Sequence, residues 1–380
     1  MYNAAIVGLG KMGLSHLSIA NTHPEIRVRC VCDPSRYVRE MLEKYTTVKT
    51  YSDFRAMLQA EQLDCVVVAT PSKYHAEIVE AALERDLHVF CEKPFALEAE
   101  HGYRLADMAE RKGLVNQVGY HYRFVAPFNE AKRLLDGKLI GDLHHVRAEA
   151  YGPVVLRKKG LTWRSHSSEG GGCLFDYACH AIDLMNYLVG RPVSVSGTVL
   201  NSVFSSGVED EIYSTLHFAQ GFHGQLATNW SDDSLRKMSV RLSLWGTNGR
   251  INVDRQELQI YLRSVSQPSE NFVPGWNVRY TTDLTPAVWF YMRGEEYSAQ
   301  IDHFVQCIKS GTSARTDFRS AADAVLVASM MRKDAHGQRT PIKGAAATGS
   351  SAAARDSHVS SLPGRARELV QVLLGRSRQG

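Results

Sequence analysis

The chain has 380 residues, of which 44% are hydrophobic and 22% charged, and a formal net charge of +4. This length exceeds one ordinary hydrophobic core and predicts two domains. The small charge, with no basic face interleaved with aromatics, excludes nucleic acid as an expected partner. No apolar stretch approaches the ~20 residues of a membrane span, and the first ten residues read as a strand and a glycine turn rather than a secretory leader.

From residue 2 to about 124, short β-branched runs alternate with helical patterns. The runs 4–7, 28–32, 65–69, 87–91 and 115–118 are apolar and bounded by turn residues, as strands buried on both faces of a parallel sheet must be. Helical periodicity covers 11–20, 35–45, 73–85 and 98–112, with Ser35, Asp53 and Ser72 where N-caps are expected. Such a βαβ series with right-handed crossovers predicts a doubly wound Rossmann sheet over 1–124.

Past Phe124 the texture changes. A helix is predicted over 127–135, a strand over 143–151 and a second long helix over 172–188. Six runs of alternating polarity follow without helices between them, at 193–200, 211–218, 224–230, 239–244, 250–253 and 258–262. Strands in series predict an α+β domain over 125–343 with a large, mostly antiparallel open sheet. Helices over 296–309 and 319–331 are expected to close it, and segments 156–171 and 267–288 read as long irregular loops. Beyond about Ile342 the composition collapses to Ala, Gly, Ser and Arg, so 344–380 reads as a disordered tail with a short amphipathic stretch at 365–374.

The seven cysteines are odd in number, sit mostly in apolar elements and show no CxxC spacing. Buried reduced thiols in the cytoplasm are expected. Cys179-His180 lacks the spaced partners of a metal site, and no metal is expected.

Three features carry chemistry. Strand one ends in Gly8-Leu9-Gly10-Lys11-Met12-Gly13, a G-x-G-x-x-G opening a helix. Gly8 permits the tight turn, Gly10 lets backbone approach a pyrophosphate, and Gly13 lets helix pack on strand, while the helix N-terminus offers free N–H groups to phosphate. Asp33 ends strand two, twenty residues past Gly13, where a carboxylate accepts from the adenine ribose hydroxyls. It would repel a 2′-phosphate, so NAD is favoured over NADP, although Arg36 just beyond could accommodate that phosphate. Thr70-Pro71 and His75 are expected either to line the far side of the cofactor or to cap the turn. Glu92-Lys93-Pro94 ends a buried strand, so Lys93 is aimed at whatever the sheet binds.

These motifs, with Gly119-Tyr120-His121-Tyr122-Arg123-Phe124, Trp163-Arg164 and Gly170-Gly171-Gly172 followed by Asp176 and His180, resemble the glucose-fructose oxidoreductase and inositol dehydrogenase (Gfo/Idh/MocA) family over about the first 340 residues. The resemblance implies a Rossmann domain followed by an open-sheet domain and hydride transfer between a nicotinamide and a sugar, nucleotide-sugar or cyclitol carbon. It also implies a homodimer or homotetramer assembled through the open sheet. Trp163 and Arg164 match positions near the nicotinamide end, and Glu92, Lys11, Met12 and Arg123 fall beside the cofactor.

Oxidising a secondary alcohol requires a base near the working pH and a group that stabilises the developing alkoxide. Asp176 and His180, four apart, share a face if their segment is helical. Histidine titrates near ~6.5 and is largely neutral at pH 7.5, whereas presenting neutral lysine there costs about 4 kcal/mol. His180 is therefore the expected acid/base, Lys93 the cation on the substrate oxygen, and Asp176 a group that orients a hydroxyl or tunes the histidine. The resemblance implies the same three positions. Tyr120, His121 and Tyr122 are expected to reach a ligand or fill the domain junction. Trp230, Arg241 and Trp245 read as core, and His144-His145 as a solvated strand start. Two other readings stay open: a non-catalytic dinucleotide-sensing regulator, and an imine or double-bond reductase on the same fold.

Overall fold

The computed structural model describes residues 1–156, 163–265, 272–286, 288 and 294–337. The tail 344–380, with its amphipathic stretch, lies outside the described residues, as do parts of the two long segments at 156–171 and 267–288.

The first half runs β1 (Tyr2–Val7), α1 (Lys11–Thr22), β2 (Ile26–Cys32), α2 (Arg36–Tyr45), β3 (Lys49–Tyr51), α3 (Phe54–Ala60), β4 (Cys65–Val68), α4 (His75–Glu84), β5 (His88–Cys91), α5 (Ala99–Arg111) and β6 (Asn116–Val118). Local chemistry sets these boundaries. Ser35 caps α2 by accepting from the Val38 N–H, and Asp53 caps α3 by accepting from Ala56 at 2.8 Å. Ser72 does not cap: residues Ser72–Tyr74 form a short 3₁₀ turn and α4 starts only at His75. The strands pair in parallel in the order β3-β2-β1-β4-β5-β6, so the strand order reverses between β1 and β4. Ligands bind such a sheet beyond the carboxyl ends of its strands at that point.

The second half comprises α6 (Ala126–Asp136), β7 (Leu143–Tyr151), a π-helical turn (Leu174–Ala178) continuing into α7 (Cys179–Val189), β8 (Ser194–Asn201), β9 (Glu211–His217), β10 (His223–Asn229), β11 (Ser239–Gly246), β12 (Gly249–Val253), β13 (Glu257–Leu262), β14 (Gly275–Tyr280), α8 (Thr281–Leu284), α9 (Glu295–Ser310) and α10 (Phe318–Gly337). Its eight strands form one sheet, β14-β13-β12-β11-β7-β10-β9-β8, antiparallel throughout except between β7 and β10. The sequence misses β14 and α8, which lie in a segment read as irregular. Trp276, Val278 and Tyr280 alternate outward along β14, but without apolar partners facing inward the pattern reads as loop. The single helix expected over 172–188 begins instead as the π-helical turn.

The inner face of this sheet buries Val146, Ala148, Ala150, Leu226, Leu242 and Ile260 in one core with α7 and α10, continuous with one face of the parallel sheet. The other parallel face packs Ile6, Val31 and Phe90 against Ile301, Phe304 and Val305 of α9. The C-terminal helix α9 thus covers the first sheet. No helix of the described residues is long and apolar enough to cross a membrane.

Candidate active site

The glycine turn is built as its spacing demands. A Cβ on Gly8 (φ +91°) would lie 2.7 Å from the Ala69 carbonyl, and one on Gly13 1.8 Å from the Gly8 carbonyl oxygen. A Cβ on Gly10 would meet nothing within 4 Å among the described residues, so these leave the space above it open. Gly10 supplies no side-chain cap, which leaves the first N–H groups of α1 facing that space. Asp33 accepts from the Leu9 N–H at 2.7 Å with one oxygen and from Ser35 at 2.8 Å with the other, so it also fixes the turn. The hydroxyl of Thr70, whose backbone abuts Gly8, is buried with no hydrogen-bond partner among the described residues. Open backbone, free helix N–H groups, a strand-end carboxylate and an orphaned hydroxyl together fit a dinucleotide.

Beyond the turn lies a cavity of about 680 Å³ lined by Lys11, Met12, Glu92, Lys93, Asp176 and His180 among others. Here Lys93 Nζ donates to the Asp176 carbonyl and to Asp176 Oδ1, both at 2.9 Å, and Arg164 Nε donates to Asp176 Oδ2 at 2.8 Å. Asp176 is therefore held by two cations. Burial alone would raise its pKa, but Lys93 and Arg164 bring it down to about 2. Burial likewise opposes the Lys93 charge, and Asp176 outweighs it, holding the ammonium above its ordinary value. Two of the three Lys93 N–H groups are used, leaving one for a ligand.

His180 follows on the first turn of α7. Burial, then the charge of Lys93, then His121, push its pKa well below the ordinary histidine value. Its Nδ1 is buried without a hydrogen-bond partner among the described residues. Tyr120, His121 and Tyr122 pack their rings around it at centroid distances of 6.0, 5.2 and 5.3 Å. Of these three, His121 lines the cavity, stacked on Tyr297 at 4.8 Å.

Several residues expected beside the cofactor are engaged by other groups of the protein. His75 is buried between the carbonyls of Thr70 and Pro94, each 2.9 Å away, and ties the end of β4 to the turn after β5. Arg123 is buried in a two-point ion pair with Asp183, at 3.0 and 2.6 Å, and braces the domain junction. Arg36 is exposed and pairs with Glu40, one helical turn on. Trp163 stacks under the Arg164 guanidinium at 4.5 Å and is not among the cavity-lining residues. Glu92 does line the cavity, but its carboxylate is committed to His16 at 2.7 Å and to the Lys93 N–H at 3.2 Å. Trp245 is not core: it stands on the outer sheet face against His145. Arg241 is exposed and pairs with Asp254.

Sequence reasoning missed His16, Phe204, Ser205, Ser206 and Tyr297. His16 stands one residue turn past Gly13 on the buried face of α1, a spacing that could have flagged it. The loop residues after β8 carry no signal until the fold brings them to the cavity. A second hollow of about 660 Å³ borders α6 and Arg315, and none of the expected cofactor or catalytic residues lines it.

Comparison with known proteins agrees with this architecture. Residues 2–120 match the oxidoreductase family model with an NAD-binding Rossmann fold, and 128–252 match the Gfo/Idh/MocA C-terminal domain. The scyllo-inositol 2-dehydrogenase (NAD(+)) of Bacillus subtilis is 26% identical over 315 residues, covering 81% of this chain and 86% of that protein. The D-glucoside 3-dehydrogenase of Escherichia coli is 28% identical over 264 residues, 64% of this chain and 74% of its own length. A levoglucosan dehydrogenase solved with NADH and levoglucosan superposes with a TM-score of 0.77 at 24% identity, covering 88% of this chain and 97% of its own. With both its domains matched in order, the chain belongs to the Gfo/Idh/MocA oxidoreductase family, and its first domain is an NAD-binding Rossmann domain.

Proposed function

We propose that the protein is an NAD-dependent dehydrogenase acting on a secondary alcohol of a sugar, nucleotide sugar or cyclitol, with His180 as acid/base and Lys93 on the substrate oxygen. One observation carries the reading: the buried His180 imidazole and the Lys93 amine, bonded to Asp176, line one cavity beside the glycine turn. NAD, when bound, supplies the hydride acceptor. Gly8, Gly10, Lys11, Met12, Gly13, Asp33 and Thr70-Pro71 hold it, the helix N-terminus meeting the phosphates and Asp33 the ribose.

His180 takes the hydroxyl proton, which its depressed pKa permits at neutral pH. The free N–H of Lys93 donates to the same oxygen and stabilises the alkoxide as it forms. Asp176 keeps Lys93 charged and in place, and Arg164 fixes the other Asp176 oxygen. In this reading 1–124 carries the cofactor and 125–343 the substrate and the subunit contact. The seven cysteines are all free and buried, which suits a reducing compartment such as the cytoplasm.

A panel of sugars, nucleotide sugars and inositols with NAD tests the reading through formation of NADH. Turnover of at least one polyol is expected. Tight NAD binding with no turnover of any polyol would favour the sensing regulator, and turnover of an imine or enone alone would favour the reductase.

A further inference from the structure

The loop joining β8 to β9 is held by more than a surface connection needs, and it carries an aromatic ring to the cavity. Asp210 accepts with one oxygen from three successive backbone N–H groups, those of Val203, Phe204 and Ser205, at 2.8, 2.6 and 2.8 Å. Its other oxygen accepts from the Trp230 indole at 2.7 Å, and Ser202 Oγ donates to the Val208 carbonyl at 2.7 Å. The neighbouring Glu209 carboxylate receives the Leu174 N–H at 2.8 Å, at the start of the π-helical turn that carries Asp176. The loop is thus fixed both to the sheet and to the catalytic segment.

Held this way, Phe204 is 61% exposed and has no ring partner among the described residues. It lines the same cavity as Lys93 and His180, together with Ser205, Ser206 and Val208. Val154, Val155 and Met238 also line it, and the Val155 N–H meets the Trp230 carbonyl at 3.3 Å, so an apolar wall forms around Trp230. A free polyol carries a hydroxyl on nearly every carbon. Seated against Val154, Val155 and Met238, those hydroxyls would lose water and gain no partner from these side chains. An apolar substituent in the same place would bury its own surface and that of Phe204.

We infer that this loop selects the substrate, Phe204 stacking on an apolar or aromatic aglycone, so that the enzyme takes glycosides in preference to free sugars and free cyclitols. The inference rests on the dehydrogenase reading for its chemistry, but its binding test does not.

The test is calorimetric titration of the NADH-loaded full-length protein with phenyl glycosides, methyl glycosides and the free sugars of the glucose, galactose and mannose series, and with myo-inositol. In at least one series the phenyl glycoside is expected to bind roughly tenfold more tightly than the free sugar, from ring contact and buried apolar area. Phe204→Ala should abolish that advantage and change free-sugar affinity less than about twofold, while Phe204→Tyr, which keeps a ring, should retain it. The loop bonds to Asp210 through backbone N–H groups, so neither substitution removes them. Equal affinities in every series, an advantage that survives Phe204→Ala, or no binding by any probe would overturn the inference. A preference in binding, with no NADH formed from these probes or from nucleotide sugars when NAD replaces NADH, would instead count against the dehydrogenase reading alone.

Discussion

At the scale of single residues, the site turns on how charge is shared among three groups. Burial works against the Lys93 ammonium, against the Asp176 carboxylate and against any proton on His180, and the outcome differs because only the first two have each other. The acid limb of kcat/KM is therefore expected well below pH ~6.5, the ordinary histidine value. No alkaline loss is expected until Lys93 titrates, above its ordinary ~10.4. Asp176→Asn removes the anion that raises Lys93, so the alkaline limb should move down, and a pH–rate profile of the variant reads this directly. An unmoved alkaline limb would mean Lys93 is not the titrating cation. Stability has its own sign. His180 stays neutral when folded, while the unfolded chain binds a proton near pH ~6.5, so acidification through that window favours unfolding. Asp176, at about 2 when folded, adds a second loss as pH falls below ~3.9, worth about 2 kcal/mol. Melting temperature is expected to fall in these two windows. The residues of this cluster were legible in the sequence as strand-end and helix-face positions. Their sharing was not, because Arg164 reaches Asp176 only through a loop whose path the sequence does not fix.

At the scale of elements, α1 separates cofactor binding from folding. Gly10→Ala places its Cβ in open space, so the melting temperature should hardly change while NAD affinity falls. Gly13→Ala drives a Cβ into the Gly8 carbonyl oxygen, so both should fall. Thermal melts with and without NAD distinguish the two, and equal behaviour would contradict the roles given to these glycines. Helix α1 and the strand before it were legible because glycine spacing and apolar runs are local signals. The π-helical turn was not, since Asp176 and His180 four residues apart suit an ordinary helix equally well. Arg123 and His75 show the converse limit. Their chemistry suits a ligand, yet Asp183, 60 residues away, and the Pro94 carbonyl claim them in the folded chain.

At the scale of the whole molecule, the two sheets were readable from the change of texture near Phe124, from helices between strands to strands in series. What covers the parallel sheet was not, because α9 comes from the far end of the chain. The outer face of the second sheet exposes Tyr213, Tyr261, Trp276, Val278 and Tyr280. A homo-oligomer assembled through the patch that Tyr261, Trp276, Val278 and Tyr280 form on the adjacent strands β13 and β14 is expected, since contiguous exposed apolar surface marks contact sites. Trp276→Asp with Tyr280→Asp should lower the mass measured by light scattering, and a wild-type monomer would contradict the arrangement. The central claim, that His180 moves the proton while Lys93 holds the oxygen, is tested most directly by measuring NAD affinity and NADH formation together in Lys93→Met and His180→Asn. Turnover is expected to fall by about 10²-fold or more in each, with NAD dissociation constants within about threefold of wild type, because the glycine turn that carries the phosphates is untouched. Full turnover in either variant would contradict the claim.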